Sequence, residues 1–393
     1  MKRFILMSAL AVLAIAANGQ TFDDVLRQVQ ENNTTLKALA RQTSADQSAN
    51  VAAAALPAPE IEAAYLWGSP ADIGNRKDLS VSQQVDFGTL TGARRAVAER
   101  QNGMLDCEYA ARRAEILVSA RKACVEIVYY NALIEAYSAR AAYARRLADA
   151  YGEGLEKGTA NVLEYNKAVM NAAIAEGELK AALTERGQKV AELIALNGGK
   201  EVAVTQAAFE EQSVPHDFDG WYASVAERNP ALLYASAETI LGREQVRLAK
   251  AEALPSIKAG YMSELVAGQN FRGISAGLSI PIWSSGAKIK ASKLAASAAE
   301  MRREDIGVRF RLQTKALYDR AVGLQASAAE YRKLLISNDN TALLETALEQ
   351  GQISLLDYIV ETGQYYDAVE RALGAERDFR LALADLQALD IGM

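Results

Sequence analysis

The chain is written twice. A pattern running from about Phe22 to Asn197 returns in the same order from about Phe218 to Asp390. Pro59-Glu60-Ile61-Glu62-Ala63-Ala64-Tyr65 stands 196 positions before Pro255-Ser256-Ile257-Lys258-Ala259-Gly260-Tyr261, and Asn33 and Asn229 keep the same offset. Further on, Gly158 with Leu163-Glu164-Tyr165 stands 193 positions before Gly351 with Leu356-Asp357-Tyr358, as Ala191-Glu192-Leu193 does before Ala384-Asp385-Leu386. A unit this long exceeds the roughly 20 to 50 residues of a solenoid repeat, so it reads as two fused copies of one multi-element module. Symmetry of assembly is therefore expected.

The first residues are Met1-Lys2-Arg3, followed by an apolar run from Phe4 to Ala17, with small residues Ala17 and Gly19 before Gln20. A basic start, a short apolar core and a small-residue cleavage site spell a secretory signal peptide over residues 1–19. About 14 apolar residues fall short of the ~20 that a bilayer helix needs, and no later run is longer, so no transmembrane helix is expected. Insertion by strands stays open. No cysteine follows the expected cleavage point, so no acylation site is expected there. Cys107 and Cys124 fall in one helical pattern about 26 Å apart, beyond disulfide reach, and read as small buried residues. The net charge of −6, with 23% charged side chains, argues against a nucleic-acid partner.

Each copy reads as a helix, two strands joined by a loop, a very long helix, a tight turn and another long helix. The first repeat covers 20–197, with strands at 59–67 and 78–87 and helices at 93–151 and 161–197. A linker follows at 198–219. The second repeat covers 220–393, with strands at 256–263 and 271–283 and helices at 286–348 and 353–390. The strands alternate. Ile61, Ala63, Tyr65 and Trp67 share one side of the first, and Leu79, Val81, Val85 and Phe87 one side of the second, against Asp78, Ser80, Ser82, Gln84 and Asp86. Ile257, Ala259 and Tyr261, then Ile274, Ala276, Leu278, Ile280 and Ile282, repeat the pattern. Alternation alone fits equally a surface hairpin packed on helices. A lone two-stranded hairpin is marginal in water, however, and nothing in the sequence supplies further strands to complete a sheet. Each strand is about long enough to cross an outer membrane, and four per chain cannot close a barrel. Three chains would supply twelve.

The helix at 93–151 carries apolar residues in a strict 4,3 spacing through Ile116, Ala120, Ala123, Ile127, Tyr130, Ile134, Tyr137, Ala141, Ala144, Ala148 and Tyr151. That is a coiled-coil seam, and its alanines let neighbouring helices approach closely. Leu317, Ala321, Leu324, Ala328, Tyr331 and Leu335 form a weaker version in the second copy. Both a broad sheath of helices and a simple antiparallel hairpin satisfy this pattern. The long helices are expected to break at Tyr151-Gly152-Glu153-Gly154 and again near Gly158, and in the second copy near Gly351, because glycine permits the positive φ of a reversal. An acid follows each break at the same distance: Glu164 is six residues beyond Gly158 and Asp357 six beyond Gly351. Acids in a first helical turn complement the helix dipole; recurrence at one register gives them a second reading as functional groups. The linker holds Gly198-Gly199, Pro215 and the only histidine, His216, with a short strand conceivable at Glu201 to Val204.

No catalytic constellation is present: no histidine partner for a serine or cysteine nucleophile, no Cys/His cluster for zinc and no phosphate-binding glycine loop. The chain does not read as an enzyme, and no cofactor or metal is expected.

The duplicated helix-strand-strand-helix order resembles the TolC-like outer membrane efflux proteins over essentially the whole mature chain. The segments Leu79-Ser80-Val81-Ser82-Gln83-Gln84-Val85 and Gly277-Leu278-Ser279-Ile280-Pro281-Ile282 and the glycine-containing reversals carry the resemblance with it. It implies a mainly α fold with a small β part: a homotrimer whose long coiled-coil helices form an α-barrel in the periplasm, and whose four strands per chain share a twelve-stranded transmembrane β-barrel. It also implies an acidic ring at the closed periplasmic aperture, at the register of Glu164 and Asp357. Contact with a periplasmic adaptor is placed at the tips, at Leu155, Gly158, Thr159, Gly351, Gln352 and Ser354. Tyr65, Trp67, Tyr261, Phe271 and Trp283 are then the aromatics expected at the lipid interface. The sequence departs from the pattern in having Glu rather than Asp at 164, Val360 where a second acid stands in other members, no acylated cysteine, and short loops at Gly68 to Lys77 and Ala267 to Asn270. The implied function is the outer-membrane exit duct of a tripartite efflux pump, gated at its helix tips, working with an inner-membrane pump and exporting drugs or heavy-metal cations. A duct for type I protein secretion and a periplasmic coiled-coil scaffold are the alternatives.

Overall fold

The computed structural model describes residues 21–85, 88–283 and 285–390. The signal peptide expected over 1–19, and Asp86 and Phe87 of the second expected strand, lie outside the described residues. The first copy runs α1 (Phe22–Asn32), α2 (Thr34–Ala53), β1 (Glu60–Leu66), β2 (Arg76–Val85), α3 (Gly88–Glu156) and α4 (Val162–Leu196). The second runs α5 (Phe218–Arg228), α6 (Pro230–Ala251), β3 (Ser256–Val266), β4 (Gln269–Ser279), α7 (Ser285–Ser337), α8 (Thr341–Glu349) and α9 (Leu355–Leu389). The chain divides into two compact units.

The single helix expected before each strand pair is in fact two helices, and the shared asparagines are the reason. Asn33 caps α2, its side chain accepting from the Leu36 N–H at 2.8 Å. Asn229 caps α6 by accepting from the Ala231 N–H at 3.0 Å, with Pro230 supplying the first helical residue. A capping side chain satisfies backbone donors that a helix start leaves free, and proline at the first position loses nothing by lacking its N–H.

One unit joins α1, α3 from Ser119, α4 with the linker to Gln212, and Ser327–Arg380 of the second copy. Its seam is built of alanine: Ala141, Ala144 and Ala148 of α3 are buried with Ala168, Ala172 and Ala175 of α4 and with Leu355 of α9. Higher up, Tyr129, Leu133 and Tyr137 of α3 pack with Ala182. Polar ties sit beside these contacts. Tyr137 Oη donates to Glu370 at 2.9 Å, and Glu376, itself buried, accepts from Arg380 at 2.7 Å and Arg332 at 2.6 Å.

The linker is held along its length, in a coil rather than the short strand conceivable at 201–204. Asn131 Nδ2 donates to the carbonyls of Val204 and Gln206 at 3.1 and 2.8 Å. Arg380 lies over the Phe209 ring at 5.3 Å, a cation–π contact.

The glycines at 152 and 154 do not break α3, which continues to Glu156. A β-carbon at Gly152 would stand 3.2 Å from the Tyr165 ring, and one at Gly154 3.0 Å from Ala160 Cβ. Their use is close approach across the reversal. The helix expected unbroken over 286–348 is interrupted at Asn338-Asp339-Asn340. There Asn338 Nδ2 donates to the Leu334 carbonyl at 2.8 Å and Asp339 accepts from the Thr341 hydroxyl at 2.7 Å; such short polar side chains compete with the helical backbone for its partners.

The other unit holds α2, the sheet, α3 up to Val118, Ser213–Ala326 and the chain from Leu381. Its four strands form one antiparallel sheet in the order β1-β2-β3-β4. The loop expected at 267–270 is a two-residue turn, Ala267-Gly268, with φ of +46° and +86°. Two positive φ values give the turn a twist that matches its strands, so pairing reaches Val266↔Gln269. An aromatic group of Phe218, Trp221, Tyr222 and Tyr318 anchors α5 to α7. Tyr318 Oη donates to the Pro215 carbonyl at 2.6 Å. Both cysteines are free and buried, Cys107 here and Cys124 in the other unit.

Gly198 closes α4 at φ +67°, and an added β-carbon would meet the Asn32 carbonyl oxygen at 2.5 Å. Gly198→Ala is expected to destabilise that unit by about 1–3 kcal/mol, read as a lower thermal midpoint of the detergent-solubilised protein.

Candidate functional site: twin helix reversals and a two-faced sheet

The two reversals in the α-helical unit are built alike. At the end of α3, Gly158 has φ +72°, the Thr159 N–H donates to the Gly154 carbonyl at 2.8 Å, and the Gly158 N–H to that of Leu155 at 3.2 Å. At the end of α8, Gly351 has φ +68°, Gln352 donates to Ala347 at 2.8 Å and Gly351 to Leu348 at 3.0 Å. Both are Schellman closures, which satisfy the last carbonyls of a helix and require a left-handed residue. Gly158, Thr159, Gly351, Gln352 and Ser354 are exposed, and Leu155 is half-buried.

Each following helix begins with a capping box. Glu164 N–H donates to Asn161 Oδ1 at 2.9 Å, while the Asn161 N–H donates to Glu164 Oε2 at 3.1 Å. Asp357 N–H donates to Ser354 Oγ at 3.1 Å, and Ser354 donates to Asp357 Oδ2 through its N–H at 3.2 Å and its hydroxyl at 2.6 Å. The spacing Gly-x-x-Asn/Ser-x-x-Glu/Asp therefore has a local cause: a reversal, a cap, and an acid reaching back to the cap. The acids recur because the turn needs them, and their remaining lone pairs face solvent. Asn161 and Ser354, the second of them expected only as a tip residue, act as helix caps, a role that the S/N-x-x-E/D spacing carries in the sequence.

Beneath the tips, α3 and α9 meet through Tyr143 and Tyr358, ring centroids 5.4 Å apart and both buried. Burial pushes both phenols up, Tyr143 to about 12. Burial likewise raises Glu345, on α8. Tyr143 lies off the 4,3 seam and Tyr358 shows only as the repeat of Tyr165; that they meet is not visible in the sequence, since their contact joins segments far apart in the chain.

In the other unit, strand register sorts every side chain by face, because directly paired residues project to the same side. One face carries the rows Ile61, Val81, Tyr261 and Ile274, then Ala63, Leu79, Ser263 and Arg272, then Tyr65, Lys77, Leu265 and Asn270. Towards the helical ends it continues with Val85, Ile257 and Leu278. The opposite face carries Glu60, Ser82, Gly260 and Ser275, then Glu62, Ser80, Met262 and Gly273, then Ala64, Asp78, Glu264 and Phe271. Ile61, Ile274 and Leu278 are 72%, 92% and 63% exposed, so among the described residues nothing covers the apolar face there. On the polar face both cations are ion-paired: Arg76 with Asp78 and with Glu264, each at 2.9 Å, and Lys258 with Glu60 at 2.5 Å.

Tyr65 and Tyr261 lie on the apolar face. Phe271 does not: its register sets it on the polar face opposite Glu264, because the two-residue turn fixes the parity of β4. Trp67 and Trp283 lie just outside the strands and are 79% and 95% exposed, one beyond the hairpin end of β1 and the other beyond the helical end of β4.

Among the described residues no group of three or more His, Cys, Asp or Glu side chains could hold a metal ion. No helix among them is long and apolar enough to cross a membrane, which leaves strands as the membrane-crossing elements to be weighed.

Removing a cap should loosen one reversal. Asn161→Ala is expected to cost about 1 kcal/mol and to speed amide exchange in the first turn of α4, leaving α9 unchanged. At the second box the Ser354 hydroxyl and then its N–H hold the Asp357 carboxyl below the usual carboxylate range. The folded value lies below the unfolded one, so this stabilisation is complete above the unfolded pKa and lost as pH falls through the folded value. Exchange at the start of α9 should accelerate in that acid window, and Ser354→Ala should bring the acceleration to higher pH.

No family model matches this sequence, and no curated protein sequence matches it. Solved structures do match in shape. A membrane protein from Pseudomonas aeruginosa aligns with a TM-score of 0.79 at 16% identity, over 94% of this chain and 90% of that one. The CmeC outer membrane channel of Campylobacter jejuni aligns at 0.71 and 14%, over 95% and 86%. The open-state MtrE outer membrane channel of Neisseria gonorrhoeae aligns at 0.71 and 16%, over 94% and 89%. At these identities the likeness speaks for architecture, and the architecture of this chain is the protomer fold of the TolC-like outer-membrane channels.

Proposed function

We propose that this chain is the protomer of a passive, homotrimeric outer-membrane duct that serves an inner-membrane pump through a periplasmic adaptor. The observation that carries the proposal is the sheet. Among the described residues it has one apolar and one polar face, both uncovered, and two edges, β1 and β4, with no neighbouring strand. In water such a sheet would aggregate; in lipid its open edges would leave backbone donors and acceptors unsatisfied. Closure with other copies resolves both, and β2, β3 and β4, with 10, 11 and 11 residues, match the length of tilted membrane strands. Three copies supply a twelve-stranded barrel with the apolar face to lipid and the polar face to an aqueous lumen.

Cargo class follows from the lumen face. Per protomer it bears Glu60, Glu62, Asp78 and Glu264 against Arg76 and Lys258, a net negative lining that favours cations. Heavy-metal cations or cationic drugs are the cargo this lining suits. In the helical unit, six carboxylates from Glu164 and Asp357 of three copies would encircle the aperture, with the exposed reversals offered to the adaptor. Mutual repulsion of such a ring is relieved by bound divalent cations, which would plug the narrow state.

Planar-bilayer conductance of the detergent-extracted protein, with its mass determined on the same sample, tests this reading. A trimer with stepwise, cation-selective conductance is expected, whereas a monomer that never conducts would overturn the duct and favour a periplasmic scaffold. The double variant Glu164→Ala, Asp357→Ala should lose divalent block while still conducting; unchanged block would remove these acids from the aperture.

A further inference from the structure

The apolar face of the sheet is not uniformly apolar. Lys77 and Arg272 project from it in its last two rows before the hairpin ends, Lys77 between Tyr65 and Leu265, and Arg272 beside Ser263. Both are exposed. No aspartate or glutamate of the four strands lies on this face; all four strand carboxylates are on the other. The contrast with the polar face is sharp, since Arg76 and Lys258 there are each ion-paired. Among the described residues neither Lys77 nor Arg272 has a carboxylate partner, and the Lys77 ammonium instead rests 5.5 Å from the centre of the Tyr65 ring. The two cations are two strands and one row apart, or about 12 Å from strand spacing and rise.

On a face turned to lipid, an unpaired cation is costly unless it sits at headgroup depth and finds an anion. These two do sit at one end of the apolar band, at the level marked by Tyr65 and Trp67. Connectivity settles which end: α2, α3, α6 and α7 all attach at the opposite ends of the strands, so the cations belong to the leaflet away from the helices. We infer that Lys77 and Arg272 form, on each protomer, a docking surface for the phosphate groups of a lipid headgroup in that leaflet, with Tyr65 packing beside the lipid's uppermost carbons. This rests on the duct reading above, because it needs the apolar face to be in lipid. Charge complementarity selects the occupant: two unneutralised cations on an acid-free face, spaced for a headgroup bearing two phosphates. Arginine can hold one phosphate through paired N–H donors, whereas lysine acts as a point charge.

The test uses the full mature protein in detergent, with native mass spectrometry to titrate a bisphosphorylated diglucosamine lipid and its dephosphorylated counterpart. Conductance of every variant is recorded in parallel. Wild-type protein is expected to retain the bisphosphorylated lipid preferentially. Lys77→Gln and Arg272→Gln should each weaken retention about fivefold and together about thirtyfold, while Lys77→Arg preserves it and all variants conduct. Equal retention of the two lipids by wild type, or retention unmoved by the double substitution in a conducting protein, overturns the docking surface and leaves the duct standing. A wild-type protein that neither conducts nor retains either lipid overturns both.

Discussion

Every strand must give its backbone donors and acceptors a partner, and this chain leaves two strands half-satisfied. β1 and β4 bound a four-stranded sheet whose central pair, β2 with β3, is matched over ten residues. Closing that sheet inside one chain is ruled out by its width, since four strands cannot curve into a barrel. Under the proposed duct the constraint would pass outward, to other copies, and govern what the faces can be. A closed sheet has an inside and an outside, and the period-two alternation of Ile61, Ala63 and Tyr65 against Glu60, Glu62 and Ala64 supplies both.

The helical unit answers a different requirement. Alanine at Ala141, Ala144, Ala148, Ala168, Ala172 and Ala175 lets backbones approach closely with little side-chain entropy lost on packing. Specific contacts are then left to a few larger groups: the Tyr143–Tyr358 pair, Tyr137 with Glu370, and the buried Glu376 with its two arginines. The reversals show one residue meeting two demands. Glu164 and Asp357 complete capping boxes with one part of their carboxylates and leave the rest of the charge at the surface. A structural need thus fixes the position of each acid, whatever further use the proposed duct would make of its charge.

The two copies are no longer equivalent. α3 is continuous over the register where the second copy stops at Asn338-Asp339-Asn340, so only the second has a separate short helix, α8, before its reversal. No residue of α8 is fully buried, and its capping position, Asn340, makes no side-chain hydrogen bond to it. The same fused module thus has one continuous hairpin helix and one interrupted one, with short polar side chains taking helical backbone partners in the second copy.

The duplication, the four strands and their alternation, the coiled-coil seam through Ala120 to Tyr151, and the glycines on which the helices turn are all legible in the linear chain. These are local or periodic properties, set by φ preference and by which side of an element is apolar, and a linear pattern carries them. It also contained the cause of the twin acids, for a cap and an acid three residues later are a local motif. The remaining features depend on pairing between distant segments and are set by the folded chain. Strand register turned Phe271 to the polar face and separated the neutralised Arg76 and Lys258 from the unneutralised Lys77 and Arg272. Packing across the reversal turned Gly152 and Gly154 from expected breaks into points of close approach. A one-residue change of register inverts every side chain of a strand, and that parity is fixed by a turn and a partner strand together.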